Sequence, residues 1–455
     1  VAWRISDEPW MGWSRRALDN AKIRLSAGSM GNGNVSPYSY TSEMTVSTAD
    51  DIVLGGSYPS YTTVGSTVPV SLTWEKSTTY DLGLDLDFLN NRLSFSGDYY
   101  RRYTTDMYTP SISLPSVYGT TSPKGNNAEL RTTGWELSLT WRDSFKLGGK
   151  PFDYSIKAMV WDNRTVVTKY ENATRSLGTL KGYIQNGGSP SDFYEGMELG
   201  EMWGYTVAGL FRDQAAIDSS AIHDFVQASD KVTRPGQVKI ADLDHNGNID
   251  PGAFTADDHG DLSIIGNINP HYMFGVNLAA NWNGIGLSVF LQGVMKRDWY
   301  PSPDSGYFWG KYARPFMWVL GIHNYTDDMY SEEKNNWDTA YWPRMTTYQS
   351  NSSYSWTKLL EIPNTRYKQN AAYLRVKNIQ VDYTFPKALC QKIRLGGLKI
   401  YLSGENLFTF TPLHKYAPNF DPEALGYDTD FSSTAGDGYT YPVLKSVTLG
   451  VNITF

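Results

Sequence analysis

The sequence predicts an all-β protein, a transmembrane antiparallel β-barrel with long extracellular loops. Three observations predict it. Apolar residues recur with a period of two in segment after segment, short connections alternate with long ones, and several apolar faces are framed by aromatic residues. The composition narrows the alternatives. The 455 residues are 14% aromatic but only 40% hydrophobic, and 40 Lys and Arg stand against 47 Asp and Glu for a net charge of −7. That balance is wrong for a nucleic-acid binder, and 19% charged residues is too few for a disordered tail. One cysteine excludes an intramolecular disulfide framework and a multi-cysteine metal site. No run approaches the ~20 apolar residues of a membrane helix. The nearest, Ile285 to Val294, is interrupted by Gly286, Ser288, Gln292 and Gly293. The chain begins at Val1 without Met, basic n-region or apolar h-region, which leaves mature, processed and fragment origins open.

The strands can be taken in order. Lys22 to Gly28 is a first candidate. In Thr79 to Phe88, Tyr80, Leu82, Leu84, Leu86 and Phe88 share one face, and Asp81, Gly83, Asp85 and Asp87 the other. Asn90-Asn91 marks a turn, and Leu93, Phe95, Gly97 and Tyr99 then oppose Ser94, Ser96, Asp98 and Tyr100 in a hairpin partner. Trp135, Leu137, Leu139 and Trp141 alternate with Glu136, Ser138, Thr140 and Arg142. Phe152 to Val167, Met202 to Phe211, Tyr272 to Ala280, Leu287 to Leu291, Tyr373 to Phe385 and Leu398 to Thr411 follow. The last strand carries an apolar residue at every second position from Val447 to Phe455, and its terminal aromatic resembles an outer-membrane assembly signal. No long stretch has a helical period.

The connections decide between a barrel and a sandwich. Leu89 to Arg92 and Ser144 to Lys150 are short. Asn32 to Thr73, Tyr108 to Asn127, Asp298 to Gln369 and Pro412 to Pro442 are long. Compact soluble domains seldom need structureless loops of that length, whereas transmembrane barrels pair short periplasmic turns with long extracellular loops. Aromatics at the ends of apolar faces, such as Tyr80 with Phe88 and Trp135 with Trp141, fit girdles at the two membrane interfaces.

An ordered set of sequence blocks resembles the C-terminal part of a SusC/RagA-type, TonB-dependent outer-membrane transporter. The blocks are Thr73-Trp74-Glu75-Lys76-Ser77, Asn126 to Leu130 running into Thr133-Gly134-Trp135-Glu136, and Leu199 to Phe211. Pro235 to Lys239 with Asp242 to Asp250, Tyr373 to Asn378, and Ser403 to Phe408 complete the set. The resemblance implies a barrel of about 22 strands, preceded by a plug domain and a TonB box, neither of which is found in this chain. It therefore implies that residues 1–455 are the C-terminal part of a barrel, as a fragment or as one piece of a split polypeptide. It also implies import of oligomeric nutrients, glycan oligosaccharides or peptides, across the outer membrane of a Gram-negative, Bacteroidetes-type bacterium. The implied partners are a SusD-like surface lipoprotein, the TonB-ExbB-ExbD complex acting through the missing plug, the remaining barrel polypeptide, outer-membrane lipid and lipopolysaccharide, and the cargo. No nucleic acid is expected. The rival reading is a soluble or surface-attached β protein that binds or hydrolyses glycans.

Three constellations are candidate sites. Asp242, Asp244, Asn246, Gly247, Asn248 and Asp250 match the oxygen spacing of an EF-hand-like calcium loop. Position 12 is Ala253, so the bidentate Glu is missing; Asp250, Asp257, Asp258 or Asp261 could replace it, and Asp258 is taken as the sixth ligand. The plainer reading is an Asx-rich turn. No cofactor is required, and a structural calcium ion is the one candidate. Second, Asp298 to Lys358 is crowded with aromatics, of which Trp309, Trp318, Trp337 and Trp342 are the candidates for stacking on sugar rings or peptide side chains. The competing reading makes them the core of a long loop or a partner interface. Third, Asp81, Asp85, Asp98, Arg102, Glu136 and Arg142 are expected to face a water-filled lumen as wall residues or plug contacts. Enzyme signatures such as HExxH, GxSxG and Walker A are absent, so no catalytic role is expected. Cys390 reads as a small apolar residue beside a periplasmic turn.

Overall fold

The computed structural model describes residues 1–14, 17–33, 41, 44–65, 72–110, 124–185, 189–222, 233–301, 305, 308, 328–344, 362–425 and 441–455. Eleven antiparallel strands form one open sheet, each hydrogen-bonded to its neighbours in the chain order of the wall. They are β1 (Ala2–Arg4), β2 (Leu18–Asn32), β3 (Glu75–Phe88), β4 (Leu93–Pro110), β5 (Lys124–Leu147), β6 (Lys150–Lys169), β7 (His271–Trp282), β8 (Ile285–Lys296), β9 (Tyr373–Thr384), β10 (Gly397–Phe410) and β11 (Ser446–Thr454). Among the described residues β1 pairs only with β2, and β11 only with β10, so the sheet does not close on itself.

Alternation of side chains sets the two faces. One register row joins Leu84, Gly97, Leu137, Val160 and Phe274; the next joins Leu86, Phe95, Leu139, Ala158 and Val276. These residues form an apolar face left uncovered among the described residues, with Leu82, Leu137, Leu139, Leu287, Leu402 and Leu449 all exposed. Such an apolar sheet face belongs against lipid. Aromatics bound it on both sides. Trp135 packs beside Tyr272 at one margin; Phe145, Phe152 and Tyr154 cluster at the other. From Trp135 to Phe145 the strand runs roughly 33 Å, which a tilt of about 40° reduces to about 25 Å, the height of a membrane band. No helix among the described residues is long and apolar enough to cross a membrane; crossing by strands is a separate matter.

The turns at one end are tight for local reasons. Gly148-Gly149 and Asn283-Gly284 each take positive φ at both central residues, the conformation that matches hairpin twist. Between β9 and β10 a short helix, Lys387–Lys392, caps the end and buries Cys390. At the opposite end the long connections are not structureless. Met44–Thr48 pairs with Ser60–Val64, Glu201–Tyr205 with Leu262–Asn267, Val207–Leu210 with Val238–Ile240, and Asp298–Trp299 with Gln369–Asn370. This corrects the reading of Met202 to Phe211 as a strand on a par with the wall. It forms two short strands in a layer above the wall, and Glu201–Tyr205 is buried throughout. The main hydrophobic core of the described chain lies in that layer, around Tyr183, Trp203, Tyr205, Phe308, Trp342 and Tyr367.

Candidate functional site

The polar face of the wall carries a charge network whose centre the sequence reading missed. Arg24 on β2 donates from Nε to Asp85 Oδ2 at 2.9 Å and pairs through Nη1 with Asp98 Oδ1 at 2.8 Å. Ser96 donates to Asp85 at 2.8 Å. The register explains the meeting: Arg24 lies opposite Gly83, and Gly83 opposite Asp98. A Cβ at Gly83 would stand 2.5 Å from Arg24 Cζ, so only glycine leaves the path open. Glu136 is opposite Asp98 on the next strand and exposed. Asp81 lies opposite Tyr100 on the same face, and the Tyr100 ring covers Gly134, where a Cβ would collide with it. Arg102 is opposite Thr79 and Thr132 and donates to Thr79 Oγ1 at 3.4 Å. Arg142 sits near the tight-turn end opposite Ser155. The six expected wall residues thus share one face, but only Asp85 and Asp98 are drawn into one ionic cluster.

A second network lies on the same face farther along the wall. Arg375 on β9, 3% exposed at the side chain, donates to Asp421 at 2.5 Å and to Glu423 at 2.9 Å. Lys377 donates to Glu423 at 2.8 Å. Arg297 adds two bonds, to the carbonyls of Pro422 and Leu425 at 3.0 and 2.8 Å. Together these fasten the segment Pro412 to Leu425 onto the wall. Burial pushes the Asp421 carboxyl up, but the backbone N–H of Glu423, the Arg375 guanidinium and the N–H of Val443 outweigh it and hold it below the usual carboxylate range.

Of the four candidate tryptophans, Trp309 and Trp318 lie outside the described residues. Trp342 is 1% exposed and stacks on Tyr367 at 5.6 Å between ring centres, with Phe308 edge-on at 5.3 Å. It is a core residue of the loop layer with no surface left for a ligand, and this corrects its place among the stacking candidates. Trp337 is partly buried against the same core. Asn364 ties the layer together. Its amide donates to Tyr300 Oη at 2.9 Å, and its carbonyl accepts from the backbone N–H of Arg366 and Tyr367.

The acidic loop lies between Ile240 and Leu262. His245 and Gly247 take positive φ, and Ile249 is buried in the core. Carboxylate oxygens of Asp242, Asp244 and Asp261 lie within 4.8 Å of one another. Asp242 Oδ1 is buried and has no hydrogen-bond partner. Asp261 is fully buried and accepts from the N–H of Leu243 at 2.6 Å and of Asp250 at 3.0 Å. Burial raises its carboxyl above the ordinary range, the two N–H groups oppose this, and nearby Asp244 and Asp242 add to it. Asn246 accepts from the N–H of Asn248, and Asp250 from that of Gly252. Asp250 and Asp258 stand outside this group of three carboxylates, and Asp261, another of the acids that could complete the loop, stands inside it.

Comparison with known proteins agrees with this architecture. Residues 12–257 match the family described as TonB dependent receptor-like, beta-barrel. The chain is 26% identical over its whole length to TonB-dependent receptor P3 of Formosa agariphila, covering 41% of that protein. It is 23% identical to TonB-dependent receptor SusC of Bacteroides thetaiotaomicron, covering 39% of it. The fold resembles a chain in the structure of the RagAB peptide transporter, with a TM-score of 0.65 at 20% identity, covering all of this chain and 43% of that one. The chain thus spans well under half the length of these relatives. With its open antiparallel wall, apolar outer face and charged inner face, it belongs to the TonB-dependent receptor β-barrel family.

Proposed function

We propose that this chain forms part of the wall and the extracellular loop layer of a transporter that imports oligomeric nutrients, glycan oligosaccharides or peptides, across the outer membrane of a Bacteroidetes-type bacterium. The observation that carries the reading is the sheet: one face apolar and framed by aromatics, the other bearing Arg24, Asp85, Asp98 and Glu136. Among the described residues, edge strands β1 and β11 each have one open side whose N–H and C=O groups lipid cannot satisfy. Residues 1–455 therefore serve as the C-terminal part of a larger barrel, with the plug and TonB box on further polypeptide. The plug meets the charged face and couples to TonB-ExbB-ExbD, and a SusD-like lipoprotein covers the loop layer. Both cargo classes stay in the proposal: one relative is named SusC, and one structural neighbour is described as a peptide transporter. The mechanism needs no catalytic group. A structural cation at Asp242, Asp244 and Asp261 is compatible with it.

The test is purification of the complete protein from native outer membranes. Heat-modifiable gel migration, a co-purifying SusD-like lipoprotein and a bound oligomer identified by mass spectrometry are the expected results. A detergent-independent protein that binds or cleaves glycans alone would overturn the reading.

A further inference from the structure

Directly above the Trp135–Tyr272 margin, the lipid-facing side of the wall turns basic. One register row joins Tyr80, Arg101, Thr133 and Arg164; the row beyond it joins Thr78, Tyr103, Arg131 and Val166; Lys76 opens the next, opposite Thr105. Strand spacing of about 4.8 Å and a rise of about 3.3 Å per residue place neighbouring cations roughly 8–12 Å apart, and the outermost pair, Lys76 and Arg164, roughly 20 Å apart, on one surface. Lys76, Arg101 and Arg131 are exposed, and the Arg164 side chain is 66% exposed. Three acids on this surface are already engaged. Glu198 pairs with Arg164 at 2.6 Å, Asp162 with His271 Nδ1 at 2.8 Å, and Glu129 with Lys169 at 3.9 Å. Among the described residues, Lys76, Arg101 and Arg131 have no carboxylate partner.

The position restricts the occupant. Aromatic girdles mark the headgroup level, so cations one to three rows above one meet the polar part of the adjoining leaflet. Guanidinium groups bind phosphate oxygens in pairs, and the Tyr99 and Tyr103 hydroxyls beside Arg101 suit sugar hydroxyls. We propose that this patch binds a phosphorylated glycolipid of the outer leaflet, with Arg101 and Arg131 on phosphate and Lys76 and Arg164 at its flanks. The proposal rests on the outer-membrane reading above and adds a lipid site to it.

The complete protein is purified in mild detergent, stripped of lipid and offered diphosphorylated or dephosphorylated lipid A, and retention is read by native mass spectrometry. The wild type is expected to retain the phosphorylated form, and an Arg101→Gln/Arg131→Gln variant at least about tenfold less, a loss corresponding to two cation contacts. Outer-membrane fractionation and heat-modifiable migration of the variant establish that it folds, and the single Arg131→Gln variant serves if it does not. Equal retention by wild type and variant, or equal retention of both lipid forms, overturns the site while the transporter reading stands. Absence of the wild type from the outer membrane overturns both.

Discussion

Arg24 Nη1 lies 2.8 Å from Asp98 Oδ1 although the whole of strand β3 separates their strands. The reach depends on Gly83, whose missing side chain leaves the guanidinium its path. The side chains are 31% and 25% exposed, so water screens the pair and its loss costs about 1 kcal/mol. Gly83→Val should cost more, about 1–3 kcal/mol, because the new side chain occupies space that Arg24 fills. The check is the urea concentration at which the complete protein loses heat-modifiable migration. The expected order is wild type, then Arg24→Met, then Gly83→Val. A Gly83→Val midpoint equal to wild type would refute the crossing.

The loop layer holds its own core, and its centre can be separated from its margin. Trp342 is enclosed by Phe308 and Tyr367, whereas Trp337 only borders the cluster. Trp342→Ala should destabilise the layer by about 3–5 kcal/mol, the usual range for emptying a large aromatic site. Trp337→Ala should cost much less. Hydrogen exchange over residues 328–344 and 362–373 reads this directly, and equal acceleration in both variants would contradict the burial difference.

Most of the wall was legible in the sequence because a period of two runs through its long strands between bulges, and because Asn90-Asn91 marks a tight turn between two of them. The charged face followed from the same alternation, which is why Asp81, Asp85, Asp98 and Glu136 fall together. What alternation cannot give is register. Arg24 was invisible as the centre of a network because its partners are set by which residues of β3 and β4 stand beside it. Met202 to Phe211 was misjudged for a related reason: a run that opens on the fully buried Glu201–Tyr205 looks like a strong strand whether it lies in a wall or in a loop core. Trp342 and Trp337 differ only in burial, which composition does not encode. Asp261 was one of four acids able to complete the acidic loop, and only the folded chain brings it beside Asp242 and Asp244.

The strap from Pro412 to Leu425 should release in acid. The Asp421 side chain is only 8% exposed, yet its hydrogen bonds and Arg375 hold its carboxyl below the ordinary value of 3.8. A depressed carboxyl contributes stability that is present above the unfolded value and is lost as pH falls through the folded one. Hydrogen exchange over 412–425 should therefore stay slow at pH 5 and accelerate below about pH 3.8. Asp421→Asn should exchange fast already at neutral pH, since among the described residues it leaves buried Arg375 with Glu423 as its one carboxylate, beside the Thr409 hydroxyl. Exchange in the variant as slow as in the wild type at pH 7 would remove Asp421 from the fastening.

The acidic loop makes the opposite prediction. Asp261 is buried beside Asp242 and Asp244, and its carboxyl is raised. A raised carboxyl contributes stability present below its unfolded value and lost as pH rises through the folded one, so at neutral pH the ionised cluster strains the loop. A divalent cation would offset that repulsion and engage Asp242 Oδ1, which has no partner. Calcium at about ten times its dissociation constant should then stabilise the layer by about 1.4 kcal/mol at pH 7, and by much less at pH 4. Asp242→Asn separates charge from geometry. Its carbonyl can still accept the Gly247 N–H that Asp242 Oδ2 accepts now at 3.0 Å, while one negative charge is gone. The variant should be as stable as wild type without metal at pH 7, or more so, and should lose the calcium response. Thermal unfolding of the complete protein with and without millimolar calcium reads both effects, and a wild type indifferent to calcium reduces the loop to an Asx-rich turn.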